Sequence, residues 1–263
     1  QRLYRGVQSF PLLAVPLFIL AGQIMSRSGI SGHLIEFAKT LVGQMRGGLA
    51  AVNVVTSMFF AGMSGTSMSD TAAVGGMIID PMIKRGYSRP FTAAVTAASS
   101  TIGIIIPPSV PMVILGAYLG ISTGALFAAG LMAGVLLGVA LIIVAWIISV
   151  REGYPVEAPF SGKRMVVAFG KALPALLMPA IILGGILGGI FTPTEAAAVA
   201  VVYGIFVGMF YYRTLKLRVL YQTFCEAAVL SGAVMLVTAT AHVMGFAFTF
   251  EQLHVQNFAS DQV

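Results

Sequence analysis

The sequence predicts an all-α, polytopic membrane protein organised around a re-entrant helical hairpin and a proline-broken helix. Three observations carry that reading. Hydrophobic residues make up 58% of the 263 positions and charged residues 9%, against about 25% charge in a soluble domain. Apolar runs close to the ~20 residues that cross hydrocarbon recur along the chain without strand-like alternation, which favours helices over a barrel. The third observation is the stretch Phe59–Thr71, small, polar and glycine-punctuated, yet bounded by an apolar run from Gly48 and an alanine- and glycine-rich run from Ala72 to Ile79. Irregular backbone survives at membrane depth only where protein or a wet cavity shields it. Two half-helices are therefore expected to meet there, presenting hydroxyls and one carboxylate at a tip suited to an ion.

In chain order, Phe10–Met25 reads as an apolar helix interrupted by Pro11 and Pro16 and closed by Arg27 and Gly29. Ser31–Arg46 sets Leu34, Ile35, Phe37, Ala38, Leu41 and Val42 against His33, Glu36, Lys39, Gln44 and Arg46, the pattern of a helix lying in the interface. His33 belongs to its polar face rather than to a ligand set. Gly47–Gly62 enters the membrane, Ser64–Asp70 turns, and Thr71–Met82 returns to Lys84, Arg85 and Arg89. Basic residues flank both ends, so the hairpin is expected to open toward the cytoplasm without crossing, the alternative being a plain pair of spanning helices.

Phe91–Ile106 then runs into Gly103-Ile104-Ile105-Ile106-Pro107-Pro108-Ser109-Val110-Pro111. Three prolines in five residues are expected to break the helix, the alternative being a kink. The break aims bare carbonyls of one half and bare amides of the other at one point, where they attract a cation and an anion respectively. Val113–Leu119 exits toward the uncharged Gly120–Gly124, Ala125–Val150 returns, Arg151–Lys171 is expected to be a charged cytoplasmic loop, and Pro174–Ile190 crosses outward. In Phe191–Ala198, Thr192 or Thr194 caps the next helix, Pro193 fits its first turn and Glu195 suits its positive end. Ala196–Tyr212 comes back to Arg213, Lys216 and Arg218. Cys225–Phe248 forms a last span in which His242 is either a functional ionisable group or an interfacial one.

Cys225 is the single cysteine and is expected to be a packed thiol, so no disulfide framework or cysteine metal site is available. The net charge of +6 falls in short loops, marking cytoplasmic loops rather than a nucleic-acid surface. Gln1 is not an initiating Met, and the chain reads as a fragment. Ser, Thr, glycine carbonyls and one Asp are hard oxygen ligands, suited to sodium and unsuited to a soft transition metal. No nucleophile elbow, HExxH, CxxC or Walker loop occurs, so an enzyme is not expected and no cofactor is called for.

The runs Gly62–Gly75, Lys84-Arg85-Gly86-Tyr87, Thr101–Ser109 and Phe191–Ala196, in that order and spacing, resemble the large membrane subunit of TRAP transporters, the tripartite ATP-independent periplasmic family. The resemblance covers nearly the whole chain and fades after about Leu253. It implies one transport subunit of a sodium-driven secondary importer with an inverted repeat and an elevator mechanism, multi-pass in a bacterial inner membrane. Its implied partners are a small membrane subunit and a periplasmic binding protein that delivers an organic acid, a C4-dicarboxylate or a sialic-acid-like carboxylate. It implies sodium contacts from Ser64, Gly65, Thr66, Ser67, Asp70, Gly103, Ile106 and Pro107, and substrate contacts from Thr66, Ser67, Pro108 and Ser109; Thr192, Thr194 and Glu195 remain capping residues. The implied division is residues 1–46, scaffold helix and arm; 47–123, the first transport half with hairpin 47–83 and broken helix 90–119; 124–171, a spanning helix and loop; and 172–263, the start of a second, truncated repeat. A second hairpin is expected beyond this chain, so the fragment alone should not transport. The rival readings are an ion channel or another secondary transporter whose re-entrant loop is a filter, and, more remotely, a membrane enzyme using Asp70.

Overall fold

The computed structural model describes residues 10–157 and 161–260, almost entirely as helices. A 3-10 turn (Phe10–Leu13) leads into α1 (Ala14–Arg27), α2 (Ile30–Val42), α3 (Gly48–Ser64) and α4 (Ser67–Asp70). A π-helical turn, Thr71–Gly75, joins α4 to α5 (Gly76–Lys84), and α6 (Arg89–Ser100) follows with a 3-10 turn at Thr101–Ile104. Then come α7 (Val110–Leu119), α8 (Thr123–Arg151), α9 (Gly162–Leu187), α10 (Pro193–Phe206) with a π-helical turn at Val207–Tyr211, and α11 (Leu217–Ser260). Among the described residues no strand forms; a lone antiparallel bridge joins Arg46 and Val156. Among the described residues four helices are long and apolar enough to cross a membrane, or five if α1 and α2, bent by 73° at Ser28-Gly29, count as one span. The protein is an all-α, polytopic membrane protein.

The helices form two packed groups. In one, α1 packs against α10 and α11, while α9 packs against α2 and α10; in the other, α3 packs against α6 and α8, and α7 against α8. The groups meet where α2 and α1 lie on α3 and where α1 touches α7. The amphipathic reading of α2 explains its place: Leu34, Ile35, Phe37 and Ala38 are buried while Glu36 is exposed.

Three boundaries differ from expectation. Only Gly65-Thr66 is irregular at the hairpin tip, because Thr66 caps α4 and lets Ser67–Asp70 coil. The helix α9 begins at Gly162, so Lys163, Arg164 and Lys171 sit on a helix rather than in a loop. Met165–Phe169 is apolar enough to extend the helix, and Pro174 and Pro179 lie inside it, where neighbouring helices re-satisfy freed backbone groups. The helix α11 starts at Leu217, since no Gly or Pro interrupts Leu217–Phe224. Cys225 is exposed rather than packed, because α11 leans mainly on α1 and leaves its other faces bare.

The broken helix and the entering arm of the hairpin are seated on α8 by three glycines one turn apart, Gly130 and Gly134 under the broken helix and Gly138 under α3. A Cβ on Gly130 would lie 2.5 Å from Met112 Cε and 2.6 Å from the Ile105 carbonyl, one on Gly134 would overlap Ile106, and one on Gly138 would overlap Met58. Small residues let helices approach this closely in lipid. Gly134→Leu in the complete permease is therefore expected to lower stability by about 1–3 kcal/mol through overpacking, read as a lower melting temperature in detergent. Val139→Leu, on the exposed side of α8, should leave it unchanged; equal melting of both variants and the parent would refute the seating.

Candidate ion and substrate site

Local chemistry builds the hairpin tip. Gly65 ends α3 with φ +63, a left-handed conformation that glycine adopts without steric cost, and its N–H donates to the Ala61 carbonyl at 3.3 Å. Thr66 is extended, and its hydroxyl accepts the Ser69 N–H at 3.4 Å. The Ser64 hydroxyl donates to the Thr66 carbonyl at 3.4 Å, and Thr71 donates to the Ser67 carbonyl at 2.9 Å. Opposite, α6 tightens into the 3-10 turn and the chain leaves helical geometry through a cis Pro107-Pro108 bond. The Ser109 hydroxyl donates to the Ile104 carbonyl at 2.7 Å and accepts the Met112 N–H at 3.4 Å, starting α7.

These two irregular segments touch. The Val110 N–H donates to the Gly65 carbonyl at 3.4 Å. A Cβ on Gly65 would stand 2.6 Å from the Pro108 carbonyl, and one on Gly103 would stand 3.1 Å from the Thr66 carbonyl. From the other group of helices, α1 presses on the tip at Gly22, where a Cβ would lie 2.7 Å from the Ser64 carbonyl. Ser64, Gly65, Thr66 and Ser67 thus meet Gly103, Pro108 and Ser109, with Pro107 behind them facing Gly62. The Ile106 side chain turns away into an apolar cluster with Val54, Ala61 and Ile102, so at the tip Ile106 can offer only backbone. Thr66 and Ser67 are half-buried and Met68 is 80% exposed, whereas Pro108 and Ser109 are buried. The accessible polar edge of the tip is therefore Thr66-Ser67.

Asp70 lies one turn further along, fully buried, and neither carboxylate oxygen has a hydrogen-bond partner. The Ser57 and Ser100 side chains stand beside it, but their hydroxyls are committed elsewhere, Ser57 to Ser99 at 3.2 Å and Ser100 to the Thr96 carbonyl at 2.8 Å. The file continues through Asn53, whose amide donates to Thr96 at 2.7 Å, to Thr92, and every member is buried. An isolated buried carboxylate costs several kcal/mol unless a cation or proton compensates it. Hard oxygens from Asp70, Ser57 and Ser100 are a donor set that fits an alkali ion.

Elsewhere, Thr192 and Glu195 form a reciprocal capping box at α10, with Thr194 inside the first turn. His33 stacks on Tyr212 with ring centroids 5.0 Å apart, and His242 stacks on Tyr118 at 5.3 Å.

Residues 1–259 match the family model described as the tripartite ATP-independent periplasmic transporter, DctM component. The chain belongs to this family. Its members include the C4-dicarboxylate TRAP transporter large permease protein DctM of Pseudomonas aeruginosa, 40% identical over 252 residues, which are 96% of this chain and 59% of that protein. The sialic acid TRAP transporter large permease protein SiaM of Vibrio cholerae is 39% identical over 253 residues, 96% of this chain and 59% of the relative. The isethionate TRAP transporter permease protein DctMQ of Oleidesulfovibrio alaskensis is 39% identical over 251 residues, 95% of this chain and 40% of its own. The chain thus spans about half the length of these family members. By name these relatives are transporters rather than enzymes.

The buried file Asn53, Ser57, Thr96, Ser99 and Ser100 escapes sequence reasoning. Its only signal is the four-residue spacing of Ser88, Thr92, Thr96 and Ser100 in an otherwise alanine-rich helix.

Proposed function

We propose that this chain is part of the transport subunit of a sodium-coupled importer of organic acids in a bacterial inner membrane. Family membership supports the transport reading. Relatives of near-equal similarity are named for a C4-dicarboxylate, sialic acid and isethionate, so the shared cargo chemistry is a small organic anion. The anion is received at the Thr66-Ser67 edge, with Pro108 and Ser109 holding that edge in place from behind. The family's tripartite build implies a small membrane subunit beside the scaffold and a periplasmic binding protein that delivers the acid.

The observation that carries the sodium reading is the buried Asp70 carboxylate with both oxygens unpaired. Sodium held among Asp70, Ser57, Ser100 and the carbonyls of Ser64–Ser67, Gly103, Ile106 and Pro107 offsets the charge, and its own charge favours the arriving anion. The hairpin opens inward because Arg46 and Lys84-Arg85 flank it. The group containing the hairpin, α6, α7 and α8 moves against the group containing α1, α10 and α11, in the manner of an elevator, and α2 is the interfacial arm between them. Gly22 is at the sliding contact.

Uptake by the complete permease with its binding protein, reconstituted in vesicles, tests this. Saturable uptake should vanish when choline replaces sodium or when the binding protein is omitted. Unsaturable flux that needs neither would assign the hairpin to a channel filter instead.

A further inference from the structure

A second feature lies away from the hairpin, between α2 and the start of α9. A cleft of about 700 Å³ is lined there by His33, Glu36 and Lys39 on one side and by Lys163, Arg164 and Lys171 on the other. Its acids are spoken for: Glu36 pairs with Lys39 at 2.6 Å, and Glu157 at the rim pairs with Arg85 at 3.3 Å. Among the described residues, Lys163, Arg164 and Lys171 have no acidic partner. Arg164 and Lys171 share one side of α9 two turns apart, Lys163 adjoins Arg164, and all three line the cleft, so positive charge gathers along its α9 wall with no acid to offset it. Burial and the nearby Lys171 ammonium hold the His33 imidazole below its usual range, which keeps a further cation out of the cleft and leaves the α9 charges to dominate it.

The floor of the cleft is apolar. Val167 and Ala168 line it between the cationic residues, Val167 is 53% exposed, and the adjoining Val166 is 68% exposed. A free inorganic anion gains nothing from such a floor, whereas a lipid glycerol and upper acyl chain do. Basic pockets between helices on the cytoplasmic side of a membrane take anionic headgroups.

We propose that this cleft is a binding site for an anionic phospholipid, whose phosphate is held by Lys163, Arg164 and Lys171 and whose apolar part rests on Val167. The lipid bridges α2 to α9. The leaflet, but not the binding, rests on the inward orientation proposed above.

The test uses the complete permease, delipidated in detergent and presented with phosphatidylglycerol or phosphatidylcholine, with retained lipid counted by native mass spectrometry. The parent should retain phosphatidylglycerol with a preference of about tenfold or more. The Lys163→Gln/Arg164→Gln/Lys171→Gln variant should lose that preference, and Lys163→Arg/Lys171→Arg should keep it. If the triple variant fails to fold, Lys163→Gln and Arg164→Gln singly should each weaken retention. Equal retention of both lipids by the parent, unchanged preference in the neutralised variants, or full displacement by millimolar inorganic phosphate would each overturn the proposal. The readout is lipid retention, so it stands or falls apart from sodium coupling.

Discussion

Asp70→Ala is expected to abolish sodium-driven uptake by the complete permease while the variant still accumulates in the membrane. The carboxylate is buried with both oxygens unpaired, so removing it relieves a cost in the sodium-free protein and deletes a ligand from the sodium-bound one. Ser57 and Ser100 keep their own bonds to Ser99 and the Thr96 carbonyl, so the hairpin should stay packed. Breaking a buried ion pair typically costs about 3–5 kcal/mol, which predicts a loss of sodium affinity of about a hundredfold or more. Sodium titration of uptake, with membrane abundance measured beside it, decides the matter. Parallel loss of abundance and uptake would give Asp70 to folding, and an unchanged sodium dependence would remove it from the site. Ser67→Ala should weaken sodium dependence less, since Ser67 reaches the tip through its carbonyl as well as its hydroxyl.

The second large effect is expected at Gly65→Ala. A left-handed backbone costs an alanine about 1–2 kcal/mol, and here its Cβ would also stand 2.6 Å from the Pro108 carbonyl. The tip must then lift from the broken helix and stretch the bond between the Val110 N–H and the Gly65 carbonyl. Overpacking adds about 1–3 kcal/mol, so both thermal stability and uptake should fall. Gly153→Ala is the matched control, because Gly153 has φ +71 and open space around a Cβ. It should show the backbone cost alone, with uptake retained. If the two variants behave alike, the contact between tip and broken helix contributes nothing.

Much of this architecture is legible in the sequence. Pro107, Pro108 and Pro111 remove backbone donors whatever the fold, so the break in the helix was certain to appear. The Thr192–Glu195 spacing is a local signal for a capping box, and α2 showed its buried face through period alone. Charge misled at the start of α9, where Lys163, Arg164 and Lys171 looked like loop residues although long cationic side chains can snorkel from a helix. The turn is shorter than its small polar residues suggest, because Thr66 caps α4 and the residues after it coil. The file from Asn53 to Ser100 stayed hidden for another reason. Its polarity is weak in any window, and only the pairing of α3 with α6 turns separate hydroxyls into one buried line.

The π-helical turn at Thr71–Gly75 follows Asp70 directly. A π turn accommodates one residue more than an α turn, and successive helical residues are about 100° apart. That surplus residue sets the face of α5 about 100° away from where an uninterrupted α-helix running on from Asp70 would put it. Which side of the returning arm is buried, that of Ile78 and Met82, is therefore decided by the widened turn next to the carboxylate.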